Sequence, residues 1–107
     1  MITTGFPSPA RDFEEKSLDL NKLLISNPSS TFFLRAEAIY GEINALRDKD
    51  ILVVDRSLDP SEGDLLVISE NGELRIMAMD QDPNSFPLEQ LEYCWGVVTW
   101  IIHSSRG

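Results

Sequence analysis

The feature that most constrains this chain is the change of pattern at Thr31. From there onward, short runs of β-branched, aliphatic and aromatic residues alternate with turn sequences. Five runs predict strands, at residues 31–36, 51–55, 64–69, 74–79 and 93–103. The second run begins with four apolar residues in succession, which is typical of a strand buried on both faces. Short strands separated by turns predict a mostly-β protein, built as a small barrel or a folded sheet.

Two turn sequences separate the middle runs. The segment 59–63 contains Pro60, which pre-sets φ, and Gly63, which accepts dihedral angles that other residues avoid. The pair Asn71-Gly72 is the strongest short-range signal for a two-residue β-hairpin turn. The two runs on either side of that pair are therefore predicted to form neighbouring antiparallel strands.

The N-terminal part of the chain has a different character. Residues 1–16 contain two prolines and a charged run, which favour an extended arm in front of a single domain covering residues 17–107. Asp19 is placed to cap a short helix that reaches Leu24. The Asn-Pro pair that follows ends this helix.

The charge of the chain limits its partners. There are 18 acidic and 9 basic residues, which give a formal net charge of −9. Phosphate backbones repel such a chain, so we expect no direct binding of nucleic acid. The apolar stretches are too short for a membrane span, and the first residues lack the pattern of a secretory signal. These features predict a cytoplasmic protein.

Several residues are candidates for a catalytic or metal-binding role, but residues of these types in such positions more often have a structural role. Cys94 is the single cysteine, which excludes an internal disulfide and fits a reducing compartment; it is expected to be a small buried hydrophobe. His103, the single histidine, could serve as a base but is expected at a surface strand end. Four serines are possible nucleophiles that are expected to be solvated turn residues: Ser57, Ser61, Ser69 and Ser85. Four acidic residues match no calcium loop: Asp80, Asp82, Glu89 and Glu92. No metal or cofactor is therefore predicted.

Four stretches of the sequence form a pattern through their order and spacing. They are Gly5-Phe6-Pro7-Ser8-Pro9-Ala10 with Leu18-Asp19-Leu20-Asn21; Asn27-Pro28-Ser29-Ser30-Thr31-Phe32-Phe33; Asp50-Ile51-Leu52-Val53-Val54-Asp55-Arg56-Ser57 with Gly63-Asp64; and Trp95-Gly96-Val97-Val98-Thr99-Trp100-Ile101-Ile102-His103. Together they resemble the UmuD branch of the LexA-like (S24) self-cleaving serine peptidases. The resemblance extends over nearly the whole chain, and the four stretches in register are far more specific than any one of them.

The resemblance implies a fold and a function. It implies that residues 17–107 form a LexA/UmuD-like peptidase-fold domain, with a core like the LexA C-terminal domain, a short helix and an extended arm. Members of the family cut their own N-terminal arm with a serine nucleophile and a lysine general base, and they usually work as dimers. The cut form joins an error-prone translesion polymerase of the UmuC type during the SOS response.

The catalytic pair of the family is replaced in this chain. The resemblance places the nucleophile at Tyr40 and the general base at Met77. A phenol is bulkier than a serine hydroxyl and does not fit the same attack geometry, and a thioether cannot accept a proton at neutral pH. Arg75 is close in sequence to Met77 but stays protonated. No catalytic residue is intact, so the chain is predicted to be a pseudo-peptidase and not an enzyme.

The cleavage site of the family falls near the start of the sequence. The resemblance places the scissile bond between Thr4 and Gly5, where cleavage would release only four residues. The chain is therefore expected to resemble the processed form, and Thr4 and Gly5 are expected to be a vestige of the cleavage site.

Three functions are consistent with these observations. The first is a homodimeric accessory subunit, similar to processed UmuD, that engages a UmuC-like translesion polymerase without cleaving itself. The second is an inactive decoy that forms heterodimers with an active UmuD- or LexA-type relative and regulates it. The third is an S24-type serine peptidase with altered chemistry at Tyr40 or Cys94. The whole-chain resemblance combined with the missing catalytic pair favours the first.

Overall fold

The described part of the chain folds around an antiparallel β-sheet. The computed structural model describes residues 18–37, 45–80 and 92–106. They form a helix α1 (Leu20–Leu24), a short 3-10 helix (Pro28–Ser30) and five strands, β1 (Thr31–Arg35), β2 (Ile51–Asp55), β3 (Leu65–Glu70), β4 (Glu73–Ala78) and β5 (Cys94–Ile102). The strand order in the sheet is β1-β2-β5-β3-β4. The predicted mostly-β fold with a folded sheet is confirmed, whereas the predicted arm at residues 1–16 lies outside the described residues.

The sheet is held together by β5, which lies between β2 and β3 and pairs antiparallel with both. Side chains that are adjacent in a strand point to opposite faces, so the sheet has an apolar cluster on each face. The first cluster contains Ala36, Leu46, Leu52, Val54 and Val67, and the second contains Leu66, Ile68, Met79 and Val97. Residues 52–54 and 66–68 are buried without alternation, which confirms the prediction that β2 is buried on both faces.

The helix begins where the sequence predicted. The side chain of Asp19 accepts hydrogen bonds from the backbone amides of Asn21 (3.1 Å) and Lys22 (3.3 Å), which are two of the donors that a helix start leaves unpaired. The helix ends at Leu24, ahead of the 3-10 helix that begins at Pro28. None of its residues is buried, so the cap and its own backbone bonds are what stabilise it within the described structure.

The hairpin between β3 and β4 also follows the prediction. Asn71 (φ 53°) and Gly72 (φ 79°) both adopt positive φ, as a two-residue turn of this type requires. The turn makes Glu70 and Glu73 a pair across the hairpin, so β4 begins and ends one residue earlier than predicted. Strand β3 begins one residue later than predicted because the carboxylate of Asp64 accepts the amide of Ser61 at 2.7 Å, which closes the turn before the strand.

Lys49 provides a first testable prediction, because it adopts the left-handed conformation (φ 70°) that favours glycine. Relief of this strain in Lys49→Gly is expected to raise the free energy of unfolding by about 1 kcal/mol. Urea denaturation measures the change. Asp48→Gly is the matched control, since Asp48 does not have a positive φ. Glycine at this position relieves no strain and only increases the entropy of the unfolded chain, which lowers stability. Equal effects of the two substitutions would contradict the argument.

Candidate functional site

Met77, the residue predicted to replace the general base, lies in β4 opposite Leu66 of β3. Its side chain is half-buried and packs against the second apolar cluster, together with Cys94. Leu66 and Val97, which contribute to this surface, are 0% and 2% exposed. A thioether in such surroundings contributes packing and dispersion, and it has no proton-accepting function.

Basic groups near Met77 do not supply a substitute base. Arg75 lies two residues earlier in β4, and its guanidinium forms an ion pair with Glu70 at 2.8 Å. A guanidinium remains charged at any physiological pH. The lysines that the described ranges contain are Lys22 in α1 and Lys49 in the segment before β2, and neither is part of β4.

Tyr40, the residue predicted in the nucleophile position, lies outside the described residues, as do Thr4 and Gly5 of the predicted cleavage site. The structure therefore describes Met77 but not Tyr40. The juxtaposition of Tyr40 with Met77 remains a prediction from the sequence.

The serines that are candidate nucleophiles by sequence have structural contacts. The hydroxyl of Ser57 donates to the carboxylate of Asp55 at 2.6 Å. Ser61 lies in the turn closed by Asp64, and Ser69 is part of β3, where its amide donates to the carbonyl of Tyr93 at 2.8 Å. Ser85 lies outside the described residues. Within residues 18–37, 45–80 and 92–106, no serine hydroxyl is hydrogen-bonded to a lysine amine.

Cys94 and His103 lie at opposite ends of β5. Cys94 is half-buried, and burial raises the pKa of its thiol, although its weak hydrogen bond to the carbonyl of Gly96 (3.6 Å) opposes the shift. A raised pKa disfavours the thiolate, which is the nucleophilic form. His103 is exposed just beyond the end of the strand. The two residues are therefore separated by the length of β5 and do not form a nucleophile–base pair.

The four acidic residues near the end of β4 and the start of β5 belong only in part to the described ranges. Asp80 and Glu92 belong to the described ranges, while Asp82 and Glu89 do not. Among the described residues, no group of three or more His, Cys, Asp or Glu side chains is arranged to hold a metal ion. In the same ranges, no helix has the length and apolar character needed to cross a membrane.

The best-defined polar site is one that the sequence did not reveal. Asp55, at the end of β2, is 3% exposed. Its carboxylate accepts hydrogen bonds from the side chains of Asn27 (2.7 Å) and Ser30 (3.0 Å), and from the amide (2.8 Å) and hydroxyl (2.6 Å) of Ser57. These donors, led by Asn27 and Ser57, lower the pKa of Asp55 from 3.8 to about 2, against the opposing effect of burial. The network fixes the segment before β1 to the end of β2.

A second site that the sequence did not reveal surrounds Trp95 in β5. The guanidinium of Arg56 lies 4.4 Å from the centre of the indole ring, and its Nε donates to the Trp95 carbonyl at 2.8 Å. The ring of Phe32 lies 5.4 Å from that of Trp95, centre to centre. These contacts combine cation–π and aromatic packing, and they bind β1, β2 and β5 together. No sequence signal connects residues 32, 56 and 95, which are brought together only by the strand order.

The packing of Met77 provides a second prediction. Met77→Ala is expected to lower the free energy of unfolding by about 2 kcal/mol, because it removes half-buried apolar atoms from the second cluster. Met77→Leu keeps the volume and is expected to change stability by less than about 1 kcal/mol. Chemical denaturation of both variants measures the difference. Arg75→Ala, on the same strand, is the control for a surface side chain, and a Met77→Ala variant no less stable than this control would contradict the assigned packing.

Comparison with known proteins finds one matching family and several relatives that each align with most of this chain. Residues 1–91 match the model of the family described as Peptidase S24-like. The chain is 37% identical over 114 residues to Protein ImpA of Escherichia coli, and the alignment covers 95% of this chain and 79% of ImpA. It is 35% identical over 113 residues to Protein SamA of Salmonella typhimurium, covering 95% of this chain and 80% of SamA. Protein MucA of Escherichia coli is 35% identical over 115 residues, covering 92% and 77% of the two chains.

Proposed function

This chain belongs to the peptidase S24-like family, in its UmuD-like group of SOS mutagenesis proteins. We propose that it is an accessory subunit of an error-prone translesion DNA polymerase and that this subunit does not cleave itself. The observation that carries the proposal is the environment of Met77. The sequence resemblance assigns the family's general-base position to Met77, and in the structure the side chain of Met77 packs against the second apolar cluster. Self-cleavage requires a base at this position, whereas binding to a partner does not.

The chemistry of the replaced pair supports the loss of activity. A serine hydroxyl becomes nucleophilic only when a neighbouring base removes its proton. Tyr40 offers a phenol, a group that ionises in water only at about pH 10, and its bulk does not suit the attack geometry of a serine. Arg75 is engaged with Glu70 and cannot act as a base. Loss of both members of a pair removes the reason to maintain a strained catalytic arrangement.

The described sheet supports a role in recognition. A sheet that buries apolar clusters on both faces provides a stable surface for binding a partner. We propose that the protein acts as a homodimer in the cytoplasm and that its partner is a UmuC-like polymerase. The net charge of −9 disfavours direct contact with nucleic acid, so the polymerase is expected to supply the contact with DNA.

Intact-mass measurement of the purified chain tests the absence of self-cleavage. After prolonged incubation at neutral and alkaline pH, the mass is expected to remain unchanged, while a relative that retains the serine and the lysine is cut under the same conditions. Release of residues 1–4, abolished by Tyr40→Phe, would overturn this part of the proposal and establish an altered-site peptidase.

Binding measurements test the partner. Micromolar or tighter association with a UmuC-like polymerase is expected, with the same affinity in Met77→Leu, because that substitution keeps the fold. A second titration uses an active UmuD- or LexA-type relative. Heterodimers with that relative, together with an absence of polymerase binding, would replace the accessory role with the decoy role.

A further inference from the structure

A concavity at one end of the sheet collects basic side chains. Its volume is about 360 Å³, and it is lined by Arg35, Arg47, Asp48, Lys49, Asp50, Ser104 and Ser105. These residues are distant in sequence but close in the fold, because Ile51 pairs with both Arg35 of β1 and Ile102 of β5. The end of β1, the start of β2 and the end of β5 therefore meet at the same edge of the sheet. We refer to this feature as the cationic concavity.

The backbone that forms the cationic concavity is well fixed. Asp50 is 2% exposed, and its carboxylate accepts the amide of Arg47 at 2.8 Å. The carbonyl of Asp50 accepts the amide of Ala36 at 2.8 Å, and the amide of Lys49 donates to the carbonyl of Ala36 at 2.6 Å. A guanidinium nitrogen of Arg35 reaches the carbonyl of Lys49 at 3.4 Å. The three basic side chains therefore project from a hydrogen-bonded backbone, so binding a ligand has to order the side chains but not the segment that carries them.

The charge of the cationic concavity is unlike that of the chain. Arg35, Arg47 and Lys49 are three of the seven basic residues in the described ranges, although the whole chain has a net charge of −9. The ion pair found among the described residues joins Arg75 and Glu70, in a different part of the sheet. The described structure therefore pairs none of these three cations with a carboxylate.

The two acidic residues of the concavity reduce its positive charge without cancelling it. The carboxylate of Asp50 is directed to the backbone of Arg47, and Asp48 is exposed. The hydroxyl of Ser104 accepts the amide of Arg106 at 3.2 Å, which leaves its own proton available to a ligand. The concavity thus presents three positive charges and hydroxyl donors against two carboxylates.

We propose that the cationic concavity binds a phosphate group. The guanidinium groups of Arg35 and Arg47 are suited to bidentate hydrogen bonds with a tetrahedral oxyanion, and Lys49 adds a mobile point charge. The hydroxyls of Ser104 and Ser105 donate to the remaining oxygens. This inference goes beyond the proposed accessory role and does not depend on it. The dissociation constant for inorganic phosphate is expected to be on the order of 1 mM, because the site is open to solvent and screened.

Titration of the full chain with inorganic phosphate, followed by amide chemical shifts at constant ionic strength, tests the proposal. Saturable shifts are expected at residues 47, 49, 104 and 105. A second titration with a nucleoside monophosphate distinguishes the sources of the group: equal affinity indicates the free anion, and tighter binding indicates a phosphoester.

The double variant Arg35→Gln/Arg47→Gln is expected to bind phosphate at least about tenfold more weakly, and Arg75→Gln, which removes an exposed arginine elsewhere, is expected to bind as the parent chain does. Shifts that do not saturate, or the same dissociation constant in the double variant and the parent, would overturn the proposal.

Discussion

Asp55→Ala is expected to lower the free energy of unfolding by about 3 kcal/mol. The substitution removes an acceptor that is 3% exposed and leaves the side chains of Asn27 and Ser57 without their partner, while Ser30 keeps its 3.2 Å hydrogen bond to the carbonyl of Asn27. A hydrogen bond to a charged group contributes about 1.5–3 kcal/mol, and the loss of several at one acceptor is less than additive. Urea or guanidinium denaturation measures the change.

The control for Asp55→Ala is Asp59→Ala, four residues later. Asp59 is exposed, and its side chain accepts no hydrogen bond from the described residues. Its removal is expected to change stability by less than about 0.5 kcal/mol. Similar losses in the two variants would show that the Asp55 network does not stabilise the fold.

The same carboxylate gives a pH dependence with a defined sign. The donors around Asp55 lower its pKa from 3.8 to about 2 in the folded protein. A lowered folded-state pKa contributes stability that is fully present above the unfolded pKa and is lost as the pH falls through the folded value. The stability difference between the parent chain and Asp55→Asn is therefore expected to shrink as the pH is lowered from 3.8 towards 2. A difference that grows on acidification would contradict the assigned pKa.

Gly96→Ala is expected to be comparably destabilising, by about 3 kcal/mol. A Cβ at this position would lie 2.5 Å from Cγ1 of Val54, 3.3 Å from Cγ of Arg56 and 3.5 Å from the carbonyl of Asp55. Val54 is fully buried in the first cluster and cannot move aside without disturbing its neighbours. The strand must therefore shift, and β5 is the strand that joins the two halves of the sheet.

A double-mutant cycle isolates this clash. Val54→Ala alone removes apolar contacts and is expected to destabilise the protein by about 2 kcal/mol. Combined with Gly96→Ala it also removes the atom that the new Cβ would meet, so the double variant is expected to be more stable than the sum of the single effects by about 1 kcal/mol or more. Additive losses would mean that the contact between positions 54 and 96 is not the cause.

The parts of the fold that could be predicted from the sequence are those with local causes. The Asp19 cap and the Asn71-Gly72 turn each depend on a few consecutive residues, and both are found in the structure. The apolar run of β2 marked it as buried on both faces before any partner was known. The order β1-β2-β5-β3-β4 had no local cause, because it depends on pairing between segments distant in sequence.

The candidate site also has one feature that the sequence predicts and others that only the folded chain brings together. The sequence predicts that Met77 replaces the family's base, and the structure adds that its side chain packs against the cluster that contains Leu66 and Val97. The Asp55 network could not be predicted, because Asn27 lies 28 positions before Asp55 and only the folded chain brings them together. The cationic concavity has the same origin, since Arg35, Lys49 and Ser104 share no sequence pattern.

The central position of β5 also affects how the protein can be made. Cys94–Ile102 is synthesised after the four other described strands, yet β2 and β3 are hydrogen-bonded into one sheet only through it. While the ribosome still holds this segment, the earlier strands can form at most two separate pairs, β1 with β2 and β3 with β4. Completion of the sheet is therefore expected to wait until β5 has left the ribosome, and β2 and β3 each have an unpaired edge until then.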